Sequence, residues 1–408
     1  MHKTPGRFVF AVIAVGVALG LSAAAEQTAG GRWVTAWSTS PQSLSNTSLS
    51  DVTVRLMTRV TAAGGSIRIR LDNSYGTRPV VVGAATVGEP MRGAALAPGS
   101  SLTVRFDGAT QVTVPKGGSV QSDPIMIPVL THQDLAVSLY LPEAAVQPSQ
   151  HNGAKVTSYL TANGGGDHTA DEAANAFTET TTAMFWLKSI DVLSTTSTGT
   201  IVAFGDSITD GSCATDNGHD RWQDWVAVRL QLDAQNGAHK AMVNEGIGGN
   251  TVTGKVSPAP SSTPATERLE RDVLSHSGVT HVVLFMGTND IRREATAAQV
   301  IAGTQEIIER VHATGMKIIG VTIIPRHDRA PTENNSGWSP AKSATRNEVN
   351  EWIRNDAQFD GILDFDKTVR DPEHPDRIDA TFNCDGIHPN PRGYYEMGLD
   401  VALDLFKD

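Results

Sequence analysis

Cysteine is scarce in this chain, with only Cys213 and Cys384 among 408 residues. Such a count leaves room for one bridge, and two separate buried thiols are the alternative. Cations are also in short supply, with 33 Lys and Arg against 44 Asp and Glu and a net charge of -11. A phosphate backbone demands a concentrated cationic surface, so the balance argues against a dedicated nucleic-acid binder. Charged residues make up 19% and hydrophobic residues 39%, which excludes disorder as the main state. Long apolar runs are missing except near the N-terminus, so no later stretch can cross a bilayer. Turn formers are plentiful, at 38 Gly and 20 Pro. The length exceeds one small fold and predicts two domains.

Lys3 and Arg7 precede Phe8 to Leu21, 14 residues without charge, and Ser22-Ala23-Ala24-Ala25-Glu26 offers a small-residue cleavage site after Ala25. This pattern predicts a secretory signal peptide over 1–25 and an extracellular mature chain with no stable membrane insertion. An uncleaved anchor is the alternative, although the run is shorter than the roughly 20 residues of a spanning helix. In an oxidising compartment, a bridge between Cys213 and Cys384 would pin two distant segments together.

Residues 26–195 are dominated by short alternating segments: 54–60, 66–71, 101–106 and 135–141, with an apolar run at 80–82. Period-2 patterning between turn residues predicts antiparallel strands with one wet face, hence a β-sandwich-like domain. Arg55, Arg59, Arg68 and Arg70 then read as the solvated face of a sheet. The small polar stretch Leu193 to Thr200 marks a seam. Across 196–408 the rhythm changes. Apolar runs at 201–204, 241–243, 281–286, 318–324 and 362–365 alternate with helix-like stretches near 221–236, 265–276, 296–314, 342–357 and 391–406. That is the βαβ pattern of a parallel sheet covered on both faces, in which ligands sit at the carboxyl ends of the strands.

Three motifs fall at such ends. Ile201-Val202-Ala203-Phe204 runs into Gly205-Asp206-Ser207, where a sharp turn exposes a hydroxyl. Met242-Val243 runs into Asn244-Glu245-Gly246-Ile247-Gly248-Gly249-Asn250, whose glycines let backbone N–H groups approach a substrate oxygen. The run ending at Met286 leads to Gly287-Thr288-Asn289-Asp290, which carries a carboxamide donor. A fourth block, Asp385-Gly386-Ile387-His388-Pro389, precedes Asn390 as a helix cap with Pro391 at the first position. A serine hydroxyl attacks only when a base takes its proton, and an imidazole base needs an acceptor on its other nitrogen. Ser207, His388 and Asp385 supply those groups. The backbone N–H of Ser207, that of Gly246 and the Asn289 amide are candidate donors to a tetrahedral oxyanion.

These four blocks, in this order, resemble the SGNH or GDSL hydrolases. The resemblance covers residues 200–408 and implies Ser207 as nucleophile, His388 as general base, Asp385 as its partner, and Ser207, Gly246 and Asn289 as the oxyanion hole. It implies a flavodoxin-like α/β/α three-layer sandwich with a parallel sheet, in agreement with the periodicity. The segment Trp33 to Pro41 and the β-rich part after it look similar to a secreted bacterial subgroup with an added N-terminal β-domain.

Asp206, Asp210 and Asp290 raise a metal-dependent phosphoesterase as a rival, but that scheme leaves Ser207 idle, and no metal or organic cofactor is expected. Trp338, in the loop Pro325 to Ala341, is the candidate substrate-rim residue. The reading is a secreted serine esterase acting through an acyl-serine intermediate on a short acyl group such as acetyl, with acetylated polysaccharide among its candidate substrates. Alternatives are a lipase or phospholipase of the same family and a carbohydrate-binding or surface-interaction protein with an inactive hydrolase-like domain.

Overall fold

The computed structural model describes Met1 and residues 30–233, 239–326 and 337–407. Apart from Met1, the segment read as a signal peptide lies outside the described residues. Among the described residues, no helix is long and apolar enough to cross a membrane.

The C-terminal half is built on five parallel strands in the spatial order Lys240–Gly246, Gly199–Gly205, Val279–Phe285, Lys317–Val321, Gly361–Leu363. The strand Gly199–Gly205 is buried along its whole length, which is why its sequence is continuously apolar rather than alternating. Its side chains still divide by face. Ile201 and Ala203 pack with Trp222, Val226, Tyr394 and Met397, from the helices Trp222–Leu232 and Pro391–Asp400. Val202 and Phe204 pack with Leu269, Val300, Ile307 and Val349 on the other side. The result is the expected three-layer α/β/α sandwich. Strand order reverses between Gly199–Gly205 and Val279–Phe285, and a crevice opens at such a reversal beyond the strands' carboxyl ends.

The N-terminal part is antiparallel. A six-stranded sheet runs in the order Phe177–Thr181, Ser158–Thr161, Val52–Arg59, Asp134–Leu141, Ala84–Gly88, Leu102–Thr103. A four-stranded sheet runs Arg32–Ser38, Leu187–Ser194, Ser66–Asp72, Ser119–Gln121. Val54, Leu56 and Leu139 from the first share one core with Ile67, Ile69 and Val192 from the second, as a sandwich requires.

Of the four arginines, Arg59 lies part-exposed in a pair with Asp134 (2.6 Å), but Arg55, Arg68 and Arg70 do not form a solvated face. Arg55 is fully buried and donates to Ser138 Oγ (2.9 Å) and to the carbonyls of Ala94 and Asp171. Burial pushes its guanidinium down to about 10. The loops around Ala94 and 165–171 cover that side of the sheet, a contact that strand periodicity does not encode. Arg68 pairs with Asp191 (3.0 Å) and donates to Ser277 Oγ (3.0 Å), while Arg70 donates to the Ser275 carbonyl (3.0 Å). The outer face of the four-stranded sheet therefore docks on the parallel half. Thr35 N–H donates to the Ser277 carbonyl and Ser277 N–H to Thr35 Oγ1, both at 2.9 Å. Gly278 sits at φ +68°, with the Trp33 carbonyl where a Cβ would stand, so that seam tolerates only glycine.

Candidate active site

Ser207 opens a one-turn helix, Ser207–Asp210, directly after the first parallel strand. Asp206 caps that turn by accepting from Ile208 N–H (3.0 Å), and Gly211 ends it in the left-handed region at φ 103°. The serine Oγ lies 2.9 Å from His388 Nε2, across 181 residues of sequence. His388 Nδ1 is 2.8 Å from Asp385 Oδ2. Asp385 Oδ1 accepts from the backbone N–H groups of Ile387 (3.0 Å) and His388 (2.9 Å). Burial alone would raise the Asp385 carboxyl, but the His388 ring and these N–H groups outweigh it and hold the acid well below the usual carboxylate range. An ionised carboxylate only accepts, so Nδ1 carries the proton and the Nε2 lone pair faces the serine hydroxyl.

The loop holding Asp385 and His388 is tied down at several points. Cys384 N–H donates to the His388 carbonyl (3.0 Å), Gly386 N–H to Asn383 Oδ1 (2.7 Å), and Asn390 Oδ1 caps the following helix at Gly393 N–H (3.0 Å). Cys213 and Cys384 are joined by a disulfide. Sequence reasoning did not single out Tyr394, yet its buried hydroxyl donates to the Ser212 carbonyl (2.6 Å) and links the last helix to the serine loop. Replacing both cysteines with serine is expected to lower the unfolding free energy by about 3 to 5 kcal/mol in the chain-entropy model. Denaturant titration of the parent and the double variant checks this, and coincident midpoints would show that the hydrogen bonds alone hold the loop.

Asn289 is buried on the short helix Thr288–Arg292, and its amide donates to the Asn250 carbonyl (3.1 Å). Gly246 requires correction. Its N–H donates to Asn244 Oδ1 (2.8 Å), and the backbone of Asp210 occupies the space where its Cβ would lie. That donor is spent inside the fold. Along the same turn, Ile247 N–H goes to the Gly205 carbonyl (3.2 Å), Gly248 N–H to Asp210 Oδ2 (3.1 Å) and Asn250 N–H to the Ile247 carbonyl (3.1 Å). Gly249 is the one remaining N–H of the turn without a partner among the described residues, at φ +73° with open space beside it.

Trp338 does not reach a rim. It is 3% exposed, donates from Nε1 to Ser343 Oγ (3.1 Å) and packs under the Arg326 guanidinium. The indole is a core residue anchoring the end of its loop, and 327–336 lie outside the described residues.

The neighbouring acids brace backbone. Asp290 accepts from Val252 N–H (2.9 Å) and Thr253 N–H (3.1 Å), and burial pushes it up to about 7. Asp206, also buried, is pushed up to about 6. Cys213, Asp385 and His388 present ligand-type atoms within 4.8 Å of one another. The bridged sulfur offers no thiolate, however, and the other two bind each other, so that trio is a poor cation cage. A cavity of about 260 Å³ lies away from Ser207, in the seam between the two halves, where Trp37, Met57, His132 and Gln223 line it.

A three-layer parallel fold thus carries serine, histidine and aspartate in one hydrogen-bonded line beyond its strand ends, the arrangement of a nucleophile, a base and the base's orienting acid. Residues 203–395 match the model of the GDSL-like lipase/acylhydrolase family, and that stretch forms a domain of this kind. No curated protein sequence matches the chain. Among solved structures, it is similar to a lipolytic protein of the G-D-S-L family from Desulfitobacterium hafniense, at 19% identity and TM-score 0.38, covering 49% of this chain and 96% of that one. It is also similar to a family member from Veillonella parvula (22%, TM-score 0.37, 49% and 94% covered). A third is a carbohydrate acetylesterase family member from Sinorhizobium meliloti (19%, TM-score 0.40, 49% and 94%).

Proposed function

We propose that the chain is an exported serine esterase in which Ser207 attacks a carboxylic ester, His388 takes the serine proton and Asp385 holds the imidazole in its working tautomer. The observation that carries this reading is the 2.9 Å contact between Ser207 Oγ and His388 Nε2, with Asp385 behind the ring at 2.8 Å. Attack forms a tetrahedral intermediate; its collapse expels the alcohol, which takes the proton from His388, and leaves acyl-Ser207. Water activated by the same histidine then releases the acid. The Ser207 N–H, the second N–H of the Asn289 amide and the free Gly249 N–H are the oxyanion donors in this scheme, with Gly249 in place of Gly246.

Short acyl groups are the favoured substrates. The strand-end turns are rich in glycine and polar residues, and beyond the N-terminal segment no continuous apolar run is long enough to wall a fatty chain. Residues 1–25 act as the export signal, 26–195 as the β-rich domain and 196–408 as the hydrolase domain. The disulfide supports passage through an oxidising compartment. Acetate release from an aryl acetate and from acetylated xylan, measured beside fatty-acid release from phospholipid vesicles, tests the reading. Acetate from both acetylated substrates is expected. Fatty acid alone would replace the short-acyl assignment with a lipase, and no turnover by folded protein would favour a binding role.

A further inference from the structure

The strand Ser149–His151 belongs to the antiparallel part, yet His151 reaches across the seam to the serine turn. The side chain is 3% exposed. Its Nδ1 lies 2.8 Å from the Ser40 carbonyl and its Nε2 lies 3.0 Å from Asp210 Oδ1. Both partners are acceptors, so both ring nitrogens donate and the fitting form is an imidazolium paired with a carboxylate. Burial acts to lower the His151 pKa, but Asp210 outweighs it and the net shift is upward, in keeping with that form, while Arg221 opposes weakly from the other side.

Asp210 is the last residue of the helix that Ser207 opens. With one carboxylate oxygen on His151, its other oxygen accepts the Gly248 N–H at 3.1 Å. Gly248 is the immediate neighbour of Gly249, the turn's one uncommitted donor. A second brace reaches the far end of that turn from the same residue of the antiparallel part. Ser40 Oγ accepts from Arg268 Nη1 (3.0 Å), and Arg268 donates to Asn250 Oδ1 (3.0 Å) and to the Gly205 carbonyl (2.9 Å). Ser40 thus contacts both braces, one through its carbonyl and one through its hydroxyl.

We propose that His151 is a positioning residue for the oxyanion turn: it fixes Asp210, Asp210 fixes the Gly248 N–H, and the Gly249 N–H is thereby aimed at the developing oxyanion. This rests on the acyl-serine reading. It makes the antiparallel part a working component of the active site and not an appended module. Gly248 and Gly249 have no side chains to pack, so their placement depends on backbone bonds such as that from Gly248 N–H to Asp210.

Steady-state hydrolysis of 4-nitrophenyl acetate by the full chain tests the proposal. His151→Ala is expected to lower kcat by about 10- to 100-fold with KM changed less than about threefold, since an oxyanion donor acts on the transition state more than on the bound ester. His151→Gln places an amide N–H near the position of Nε2 and is expected to recover most of that loss, whereas His151→Met, of similar length without a donor, is not. Adding His151→Ala to Asp210→Ala is expected to cost little more than Asp210→Ala alone, because the two act in series. If the alanine variant does not fold, the comparison of glutamine with methionine decides. Equal kcat in those two, or His151→Ala within twofold of the parent, overturns the positioning role. Ser207→Ala separates the two ideas: unchanged turnover in that variant defeats the acyl-serine reading itself, while an inactive Ser207→Ala beside indifferent His151 variants defeats only the positioning role.

Discussion

Ser207→Ala is expected to reduce aryl acetate turnover by on the order of 10⁴- to 10⁶-fold, the range seen when a nucleophile that works as a unit with its base is removed. The geometry explains why the loss should be so steep. Ser207 Oγ and His388 Nε2 are already at hydrogen-bond distance, so little reorganisation precedes proton transfer. His388→Ala should cost nearly as much, and the double variant little more than either single one. Asp385→Asn is expected to cost on the order of 10⁴-fold by offering a donor where Nδ1–H needs an acceptor and so favouring the wrong tautomer. Initial rates from folded protein quantified by its absorbance check all four. Multiplicative losses in the double variant would mean that serine and histidine do not act on one step. The Asp385–His388 contact also predicts a pH dependence of stability. A carboxyl whose folded pKa lies below its ordinary 3.8 stabilises the fold above that pH and ceases to do so as pH falls through the lower folded value.

Lys188→Met is expected to destabilise the whole chain by about 3 to 5 kcal/mol, the usual cost of removing one partner from a buried ion pair. Lys188 lies on the antiparallel strand Leu187–Ser194, but its Nζ bonds Glu245 Oε2 (2.8 Å) and Asp272 Oδ1 (2.9 Å), both from the parallel half. All three side chains are at most 2% exposed. Methionine keeps the length and removes the charge, so the loss is electrostatic rather than a cavity. Burial alone would raise the Glu245 carboxyl, yet Lys188 and His276 outweigh it and hold it down at about 2. Asp272 is held below its ordinary value by Lys188, Arg271 and Arg268 against the same burial. Folded values below the unfolded ones mean that this stabilisation is present above about pH 4.5 and fades as pH falls toward 2. Urea denaturation at neutral pH should show one cooperative transition for both halves, displaced to lower urea in the variant. Acid unfolding should begin at higher pH. Adding Glu245→Gln should recover part of the loss by removing a buried carboxylate left with His276 but without Lys188. An unchanged urea midpoint would sink the idea that this cluster holds the seam.

The parallel half was legible because its signals are local. A strand buried on both faces writes itself as an uninterrupted apolar run, as in 201–204, and the rule that ligands gather at strand ends directed attention to Ser207, the 244–250 turn and Asn289. The Asp385 to His388 spacing closes within one loop, and Asn390 with Pro391 announces the helix that supports it. The arginines 55, 68 and 70 were misread because alternation reports which residues share a face, not what covers that face. Gly246 was misread because glycine content marks a permissive turn without telling which of its N–H groups is already bonded. Trp338 was misread because an aromatic in a long loop looks alike whether it faces substrate or core.

Ser207, His388 and Asp385 as a chemical set, the strand-turn blocks that carry them and the change of rhythm near 195 were determined by the amino-acid sequence alone, since turn formation, capping and burial periodicity act over a few residues. Tertiary structure alone decided that Gly249 and not Gly246 keeps a free N–H, that Lys188 answers Glu245 and Asp272, and that His151 braces Asp210 from 59 residues away. Those pairings join segments with no local preference for one another. They form because desolvated charges and donors must be matched wherever two sheets close over them.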